Sequence, residues 1–511
     1  MDPPSPPRMR VEDIDLGFVP RRAFGTELSQ VGDRFVLVKG ERGRPHELNA
    51  SGALAWRCFD GSVSLGTLAE EIAGASGTPT EVVGADLVDL ARQLGGAGLL
   101  ARVAPSLPTS TELDLVVACC RARLPGAAPT DLEDLAASLG TGPADPAAPD
   151  WGAVVDLAVA HRCSAAVRAL ARVAGPGRVP GWVADALAAR LADNARRTRV
   201  LAEHLERVVA ILDAAGIRAL ALKGPVLART AFGAVDAREY RDLDLLVARP
   251  DFARARRALV AAGYHPRPVP DDRAGPQARV PPPGRSHEVD LTDAADGVVV
   301  DLHRGLAPRL FRCDPRFEPL WSRHVDVSLG GRPLPTPSVE DTVGVLAVQI
   351  AKDAWERRLV LSKLVDLATV AVGADLDLDA TRRRARAQGQ FGLLWFSLGL
   401  SDEVLGPLAL PDGGMGPPPP AIRARIAETR RDLALGGAPR GAERRARFHA
   451  DLRERGQDRI GPFVRWYVVP TDEDLRRPAL PGQLEWLHLG LRPMRMLGRR
   501  LRPRPDGQSA T

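Results

Sequence analysis

The sequence predicts an α+β protein of several domains, and three observations support this class. Residues 26–49 contain short β-rich runs separated by turn signals, and helical spacing follows over about 50–96. Between 217 and 303 strand-like and helix-like runs alternate, which predicts a core built on a mixed sheet. Helical periodicity dominates 110–200 and returns strongly from 339 onward.

Composition changes and Pro- or Gly-rich breaks set the predicted domain boundaries. Within the core, residues 265–288 are rich in proline and predict a loop, and the turn residues "DAADG" predict a hairpin between the two strands that follow. A charged helix is predicted over 421–455. The predicted division is a disordered tail at 1–20, a β3α3 domain at 21–104, a helical region at 110–200, a core at 201–375, and a helical C-terminal region with a basic tail at 376–511.

The net charge of +5 does not indicate a nucleic-acid partner, because acidic and basic residues are interspersed through most of the chain. The basic end, "RPMRMLGRRLRPRP", is interpreted as a solvated tail. Lysine occurs only at positions 39, 223, 352 and 363, so arginine supplies the other 65 of the 69 basic residues. Heavy use of Arg, Ala, Gly and Pro with few aromatic residues is typical of a GC-rich bacterial genome.

The cysteines and the N-terminus predict a cytoplasmic protein. There are five cysteines, an odd number, and their spacing fits no zinc motif, which favours a reducing compartment. The N-terminus, "MDPPSPPRMRVEDID", lacks the apolar segment of a signal peptide. No apolar run approaches 18 residues, so no membrane-spanning segment and no membrane partner are predicted.

Two aspartates share one face of a predicted strand, "DLDLLV". Because side chains alternate along a strand, Asp242 and Asp244 point to one side and Leu243 and Leu245 to the other. Like charges at this spacing raise each other's pKa and are costly unless a cation lies between them. The pair therefore predicts a cation-binding position on this face.

A later strand, "VVVDLH", contributes a third acidic residue. Asp301 shares a face with His303, and if this strand lies beside the first, three carboxylates converge. Magnesium fits such a cluster because it prefers oxygen ligands and binds through a few carboxylates together with substrate phosphates. Two such ions about 3.5–4 Å apart would activate an attacking hydroxyl and stabilise charge on a phosphoryl group. His303 is interpreted as a carboxylate partner or a core residue, since nothing nearby has zinc spacing.

Basic residues near the first strand are candidates for phosphate binding. Lys223 is predicted to pair either with a phosphate or with one of the aspartates, and Gly224 permits close backbone approach at the start of the next helix. Arg238 and Arg241 are candidates for a phosphate clamp, although Arg238 is equally interpretable as a salt-bridge residue.

On a later helix Lys363 and Asp366 are spaced three residues apart and are interpreted as an exposed ion pair.

At these residues the sequence resembles the uncharacterised nucleotidyltransferase-like proteins of the polymerase-β superfamily. The resemblance rests on "LALKGPVLA", on Arg238 shortly before "DLDLLV", on "VVVDLH" and on "KDAWERRLVLSKLVDLAT", and it extends over roughly residues 150–500. It implies a polymerase-β-type core that uses a nucleoside triphosphate and Mg²⁺, with two ions. Gly224 would lie under the triphosphate, Asp242 and Asp244 would bind metal, and Asp301 would be the third metal-binding carboxylate and the base. Pro225 stands where the superfamily usually has serine, which removes a hydroxyl from the phosphate site.

The first ninety residues resemble PqqD-like peptide-recognition domains. The matching segments are "HELNASGALAWRCFDG", "LAEEIA" and "DLVDLARQLGGAGLL". The resemblance implies a winged-helix-like β3α3 fold that binds the leader segment of a ribosomally made precursor peptide. The leader would add as a strand to the sheet edge and pack against the third helix, by β-augmentation. The predicted peptide-binding residues are Glu47, Leu48, Val83, Leu87 and Leu90.

Three functions are compatible with these features. The first is a nucleotidyltransferase that moves a nucleoside monophosphate from an NTP to an acceptor, with a ribosomal peptide or a peptide-modifying enzyme as the second partner. The second is a catalytically degenerate binding protein that presents a precursor peptide to other enzymes, which the proline at position 225 favours. The third is a toxin–antitoxin-type nucleotidyltransferase acting on a protein or tRNA, against which the N-terminal domain argues.

Overall fold

The fold is described from a computed structural model of the 511-residue chain. The description begins at residue 14, inside the predicted tail, and most of the predicted 265–288 loop and all of the basic end except residue 494 lie outside the described residues. The structure describes residues 14–454 except 23–25, 32–33, 40–45, 62, 98, 101–110, 129, 140–147, 267–287, 308–315, 374, 412–413 and 436–441, and it also describes residues 456, 459 and 494.

The N-terminal domain has the predicted three strands followed by three helices. Asn49 begins the first helix because its side-chain oxygen accepts a hydrogen bond from the backbone N–H of Gly52 at 2.7 Å. The strands form an antiparallel sheet in the order β1-β2-β3, so β3 lies at an edge. The elements are β1 (Thr26–Val31), β2 (Arg34–Lys39), β3 (His46–Leu48), α1 (Ala50–Cys58), α2 (Leu65–Ser76) and α3 (Thr80–Gly96).

Five helices follow and include the long amphipathic helix that the sequence predicts before the core. That helix ends at Ala214, and Gly216 at φ +64° lets the chain turn into the first strand of the core. The helices are α4 (Thr111–Arg121), α5 (Asp131–Ser138), α6 (Trp151–Ala160), α7 (Ser164–Ala174) and α8 (Gly181–Ala214).

The core is a five-stranded mixed sheet in the order β4-β5-β8-β7-β6. Strands β5 and β8 pair in parallel, and every other neighbouring pair is antiparallel. The elements are β4 (Ala219–Ala221), α9 (Pro225–Phe232), β5 (Asp242–Val247), α10 (Phe252–Ala261), β6 (Tyr264–Pro266), β7 (Glu288–Asp293) and β8 (Val299–His303). The predicted hairpin joins β7 to β8, whereas the predicted loop at 265–288 is wrong at its start, because its first residues belong to β6.

One face of this sheet is apolar, and the other carries the aspartates of β5 and β8 as well as buried leucines of β4 and β5 that join a second hydrophobic cluster; we call this second face the polar face. The apolar face contributes Leu243, Leu245 and Val300 to a core that also contains Leu205 of α8 and Leu259 of α10. Because strand side chains alternate, burying these residues directs the intervening aspartates of β5 and β8 to the opposite face. The hydrophobic pattern therefore fixes which side of the sheet carries the candidate site.

The remaining chain is mainly helical, as predicted, and includes, after its first short helix, a small hairpin that the sequence did not suggest. This hairpin is tied to the core because the Thr336 hydroxyl donates to the carbonyl of Ala221 at 2.7 Å. The predicted single helix over 421–455 is two helices, α16 and α17. The elements are α11 (Phe317–Trp321), β9 (Val325–Ser328), β10 (Pro333–Thr336), α12 (Val339–Glu356), α13 (Leu361–Val372), α14 (Leu378–Gln388), α15 (Phe391–Leu405), α16 (Pro420–Leu435) and α17 (Ala442–Asp451).

Among the helices in the described part of the chain, none combines the length and apolar character needed to cross a membrane.

Candidate functional site

The polar face of the sheet brings the predicted acidic residues onto neighbouring strands. Asp244 of β5 lies directly opposite Asp301 of β8 in the parallel pair, and Asp290 of β7 lies opposite Asp301 on its other side. Asp242 is half-buried at the start of β5, on the same face as Asp244. Ligand atoms of Asp244, Asp301 and His303 all lie within 4.8 Å of one another. The structure thus brings together two of the three carboxylates expected from the sequence, Asp244 and Asp301, whereas Asp242 does not belong to this group.

Asp244 is buried and both of its carboxylate oxygens have cationic partners. The Lys223 ammonium lies 3.0 Å from Oδ2, and the His303 ring nitrogen Nε2 lies 3.1 Å from Oδ1. Burial alone would raise the pKa of Asp244, but the charge of Lys223 and the hydrogen bond from His303 outweigh it and hold this pKa well below its usual range. Asp244 is therefore an anion at neutral pH.

His303 is buried between two carboxylates. Its Nδ1 lies 3.2 Å from Oε2 of Glu288, while Nε2 contacts Asp244. Burial lowers the pKa of His303, but the hydrogen bond to Asp244 and the nearby Glu288 carboxylate raise it to about 10. The ring is an imidazolium at neutral pH, and a doubly protonated ring has no lone pair for a metal. This arrangement agrees with its interpretation as a carboxylate partner.

Asp301 differs from Asp244 because like charges surround it. Burial raises the pKa of Asp301 first, and the charges of Asp244 and Asp242 raise it further, to about 8 against an ordinary value of 3.8. Its Oδ1 is buried and has no hydrogen-bond partner in the described part of the chain. A buried carboxylate oxygen of this kind, beside a second carboxylate, fits the requirements of a hard divalent cation.

Asp301→Asn is expected to stabilise the metal-free protein, and increasingly so as pH rises. The folded chain keeps a proton on Asp301 that the unfolded chain releases above pH 3.8, so folding stability falls as pH rises toward about 8. Asparagine does not ionise, so the variant does not lose folding stability in this way as pH rises. The melting temperature difference between variant and wild type is expected to grow by several degrees from about pH 5 to about pH 8.5 in the presence of EDTA.

The matched control is Asp326→Asn, which changes an exposed carboxylate on β9. Its melting temperature difference is expected to change little over the same pH range. If the melting temperature difference between Asp301→Asn and wild type stays constant over this pH range, negative charge is not crowded around Asp301.

Gly224 occupies a backbone conformation that favours glycine. Its φ is +61°, and a Cβ added there would lie 3.3 Å from the carbonyl oxygen of Asp242. Pro225 is the first residue of α9, a position that suits proline because the first N–H of a helix has no intrahelical partner. The Gly-Pro step therefore turns the chain tightly beside the start of β5.

Gly224→Ala is expected to lower the free energy of unfolding by about 1–3 kcal/mol, because it adds both a strained φ and a close backbone contact. Gly233→Ala is the matched control, since Gly233 has φ +84° but no atom within 4 Å of its added Cβ. Urea unfolding monitored by circular dichroism measures both. Equal losses in the two variants would show that the approach to Asp242 contributes nothing.

The predicted basic residues have different partners: Lys223 contacts an aspartate of the candidate site, whereas Arg238 contacts an aspartate of α13. Lys223 binds Asp244, which is one of its two predicted partners. Arg238 forms two hydrogen bonds to the buried Asp366, one of them 2.9 Å from Nε to Oδ1, so its salt-bridge interpretation describes this structure. Arg241 is half-buried directly before β5.

The interpretation of Lys363 and Asp366 as an exposed pair is wrong. Asp366 is 2% exposed and binds Arg238, whereas Lys363 forms an ion pair with Asp353 of α12. Helical spacing places the two side chains on similar faces of α13 but does not show what packs against them.

The predicted peptide-binding residues lie in the N-terminal domain at and behind its edge strand. Glu47 is exposed on β3, whereas Leu48, Val83 and Leu87 are buried in the core of that domain and Leu90 is partly buried against it. A peptide paired with β3 would thus contact the strand backbone and exposed side chains, with the buried leucines and valine supporting it from behind. Peptide binding by these residues stays a prediction.

Two acidic residues of this face were missed in the sequence. Glu288 and Asp290 lie on β7 opposite His303 and Asp301. The signal was available, since the predicted hairpin turn fixes which residues of "HEVDLT" oppose those of "VVVDLH".

A second group of acidic residues lies at the other end of β7, and its carboxylates pair with basic side chains of α8. His204 contacts the Tyr264 hydroxyl at 3.1 Å and Asp296 at 2.9 Å, while Arg207 binds Asp293 at 2.5 Å. These contacts link α8 to the sheet, and we interpret them as structural.

Comparison with known protein families agrees with both resemblances. A family model described as an uncharacterised nucleotidyltransferase matches residues 147–406, just over half of the chain. A second model, described as coenzyme PQQ synthesis protein D (PqqD), matches residues 34–100. The chain belongs to the uncharacterised nucleotidyltransferase family and carries a PqqD domain at its N-terminal end. Searches of curated proteins and of solved structures gave no match.

Proposed function

We propose that the chain is a magnesium-dependent nucleotidyltransferase that moves a nucleoside monophosphate from an NTP to a hydroxyl or amine acceptor. The observation that carries the proposal is the pairing of Asp244 with Asp301 across parallel strands, with the buried Oδ1 of Asp301 lacking a partner among the described residues. The family assignment supports the reaction class. The loop at Gly224, close to Asp242, supports the approach of a triphosphate to this edge of the sheet.

The residues that would hold magnesium are Asp242, Asp244 and Asp301. Bound there, one or two ions would supply charge stabilisation at the transferred phosphoryl group. For Asp244 to serve as a ligand it must give up one of its present partners, and Lys223 is the mobile one because it has a flexible stem. Once displaced, the Lys223 ammonium lies beside the phosphates and can neutralise them.

The chain's own groups account for the proton and for orientation. In the transfer, the acceptor oxygen or nitrogen bonds to the α-phosphorus as the bond to the β-phosphate oxygen breaks and pyrophosphate leaves. The acceptor's proton passes to a carboxylate oxygen of Asp301, the base that the family resemblance implies. His303 holds Asp244 in place from the opposite side.

The PqqD domain supports a precursor peptide as the second partner. Because β3 lies at the edge of its sheet, a leader segment can add there as a further strand, with main-chain hydrogen bonds giving affinity. The acceptor group would then belong to that peptide or to a peptide-modifying enzyme bound with it. Among the described residues, Cys58, Cys119, Cys120 and Cys163 are free thiols, which supports the cytoplasm as the place of action.

The test is to incubate the protein with labelled ATP or CTP, Mg²⁺ and candidate leader–core peptides. We expect pyrophosphate release that requires Mg²⁺, stops with EDTA, and transfers label to the peptide or its partner. Release that survives Asp242→Ala and Asp244→Ala together would contradict the proposal.

A second candidate is a binding protein that presents a precursor peptide without catalysis. It is favoured because both oxygens of Asp244 already have cationic partners and because Pro225 replaces the serine usual in the superfamily. Calorimetry separates the two functions: tight leader binding without any MgATP binding favours the presenting protein, and MgATP binding favours the enzyme.

A further inference from the structure

The lysines of this chain are concentrated at the candidate site. Only four of its 69 basic residues are lysine, and three of them belong to ion pairs on or facing the polar side of the five-stranded sheet. Lys223 binds Asp244 at 3.0 Å, Lys352 lies 3.6 Å from Glu288, and Lys363 binds Asp353. Because nearly every other basic residue of the chain is arginine, we infer that these three positions require the compact, mobile ammonium of lysine rather than the planar guanidinium.

Lys363 reaches the site from the helical region, on α13. Asp366, less than one turn further along α13, is tied to Arg238, which precedes β5. The same helix packs against α9, whose first residue follows Gly224. The Lys363 side chain is therefore held near the edge of the sheet where the Gly224 loop and the start of β5 meet.

Lys223 and Lys363 are each paired with a carboxylate. Lys223 binds Asp244, and Lys363 binds Asp353, which directly follows the Lys352 that contacts Glu288 of β7. Each lysine is thus held by a carboxylate that a phosphate oxygen can replace. An ammonium suits this exchange because its three donors reorient freely on a flexible stem.

We propose that Lys363 binds the triphosphate of the nucleotide, exchanging Asp353 for a phosphate oxygen, so that the helical region completes the binding site. This inference rests on the proposed nucleotidyl transfer and adds a residue from outside the strand-and-loop core. Lys223 and Lys363 then approach the triphosphate from two different elements.

The test measures binding of magnesium tripolyphosphate, MgATP and AMP by calorimetry. Lys363→Met is expected to weaken tripolyphosphate and MgATP binding about tenfold and to leave AMP binding unchanged, because one charge-assisted contact to phosphate is lost. The matched control is Arg358→Met, which removes a positive charge from a side chain that is 71% exposed between α12 and α13. It is expected to bind all three ligands as the wild type does.

The outcomes separate this inference from the proposal on which it rests. Unchanged tripolyphosphate binding by Lys363→Met, or an equal loss for AMP, overturns the role of Lys363 while wild-type MgATP binding upholds the enzyme. Wild-type protein that binds neither tripolyphosphate nor MgATP overturns both. If Lys363→Met does not fold, Lys363→Arg keeps the charge, and it is expected to weaken tripolyphosphate binding by about threefold; an unchanged affinity there overturns the assignment.

Discussion

Asp244→Asn and Asp301→Asn are each expected to reduce magnesium-dependent pyrophosphate release by about 10³-fold. Each substitution removes a carboxylate from the only face of the sheet that pairs two of them across parallel strands in the described part of the chain. Losing one preorganised charged group at a reacting centre typically costs about 10²–10³ in rate, and loss of a metal ligand adds to that. A coupled pyrophosphate assay at saturating Mg²⁺ and NTP measures the effect.

The two variants are expected to differ in stability although both lose activity. Asp301→Asn relieves crowded negative charge, so its melting temperature rises in EDTA, whereas Asp244→Asn leaves Lys223 and His303 without their shared anion, so its melting temperature falls. The exposed Asp326→Asn variant controls for a general effect of removing a carboxylate. Full activity in either site variant would contradict the catalytic role of that residue.

Asp366→Ala is expected to lower the free energy of unfolding by about 3–5 kcal/mol, the largest stability effect expected for a single substitution here. Asp366 is 2% exposed, and its removal leaves the buried guanidinium of Arg238 without the carboxylate that holds it. Desolvation would lower the pKa of Arg238, and it is mainly Asp366 that raises it instead. Chemical denaturation monitored by circular dichroism gives the value.

Glu403→Ala is the matched control for this prediction. Glu403 pairs with Arg430 at 2.6 Å, but both side chains are about half exposed. Its loss is expected to cost less than about 1 kcal/mol, because water screens exposed ion pairs. Similar costs for the two alanine variants would show that the Arg238–Asp366 pair does not anchor α13.

Most of the five-stranded core could be predicted from the sequence, because apolar and polar residues alternate clearly along its strands. The pattern of β5 separates its aspartates from Leu243 and Leu245, and burial of those leucines in the structure confirms the predicted face. Asn49 and Gly216 mark helix ends through local chemistry that a short segment determines by itself. The α+β class and both family resemblances rest on such local patterns.

Contacts between segments that are distant in the chain could not be predicted from the sequence. Lys363 and Asp366 have the spacing of an exposed pair, and only the packing of α13 against the segment before β5 shows that they bind separate partners. Asp290 is a different case, because the predicted hairpin already places it opposite Asp301 and only its role was overlooked. The short β6 strand was missed because three residues followed by a proline-rich segment resemble a loop.

The most direct test of the central claim is a crystal of the protein grown with Mn²⁺ and a non-hydrolysable NTP, examined by anomalous diffraction. The account predicts an anomalous peak within coordination distance of carboxylate oxygens of both Asp244 and Asp301, with the Lys223 ammonium moved from Asp244 to a phosphate. Lys223 and His303 still bound to Asp244, with no peak between the two aspartates, would contradict it.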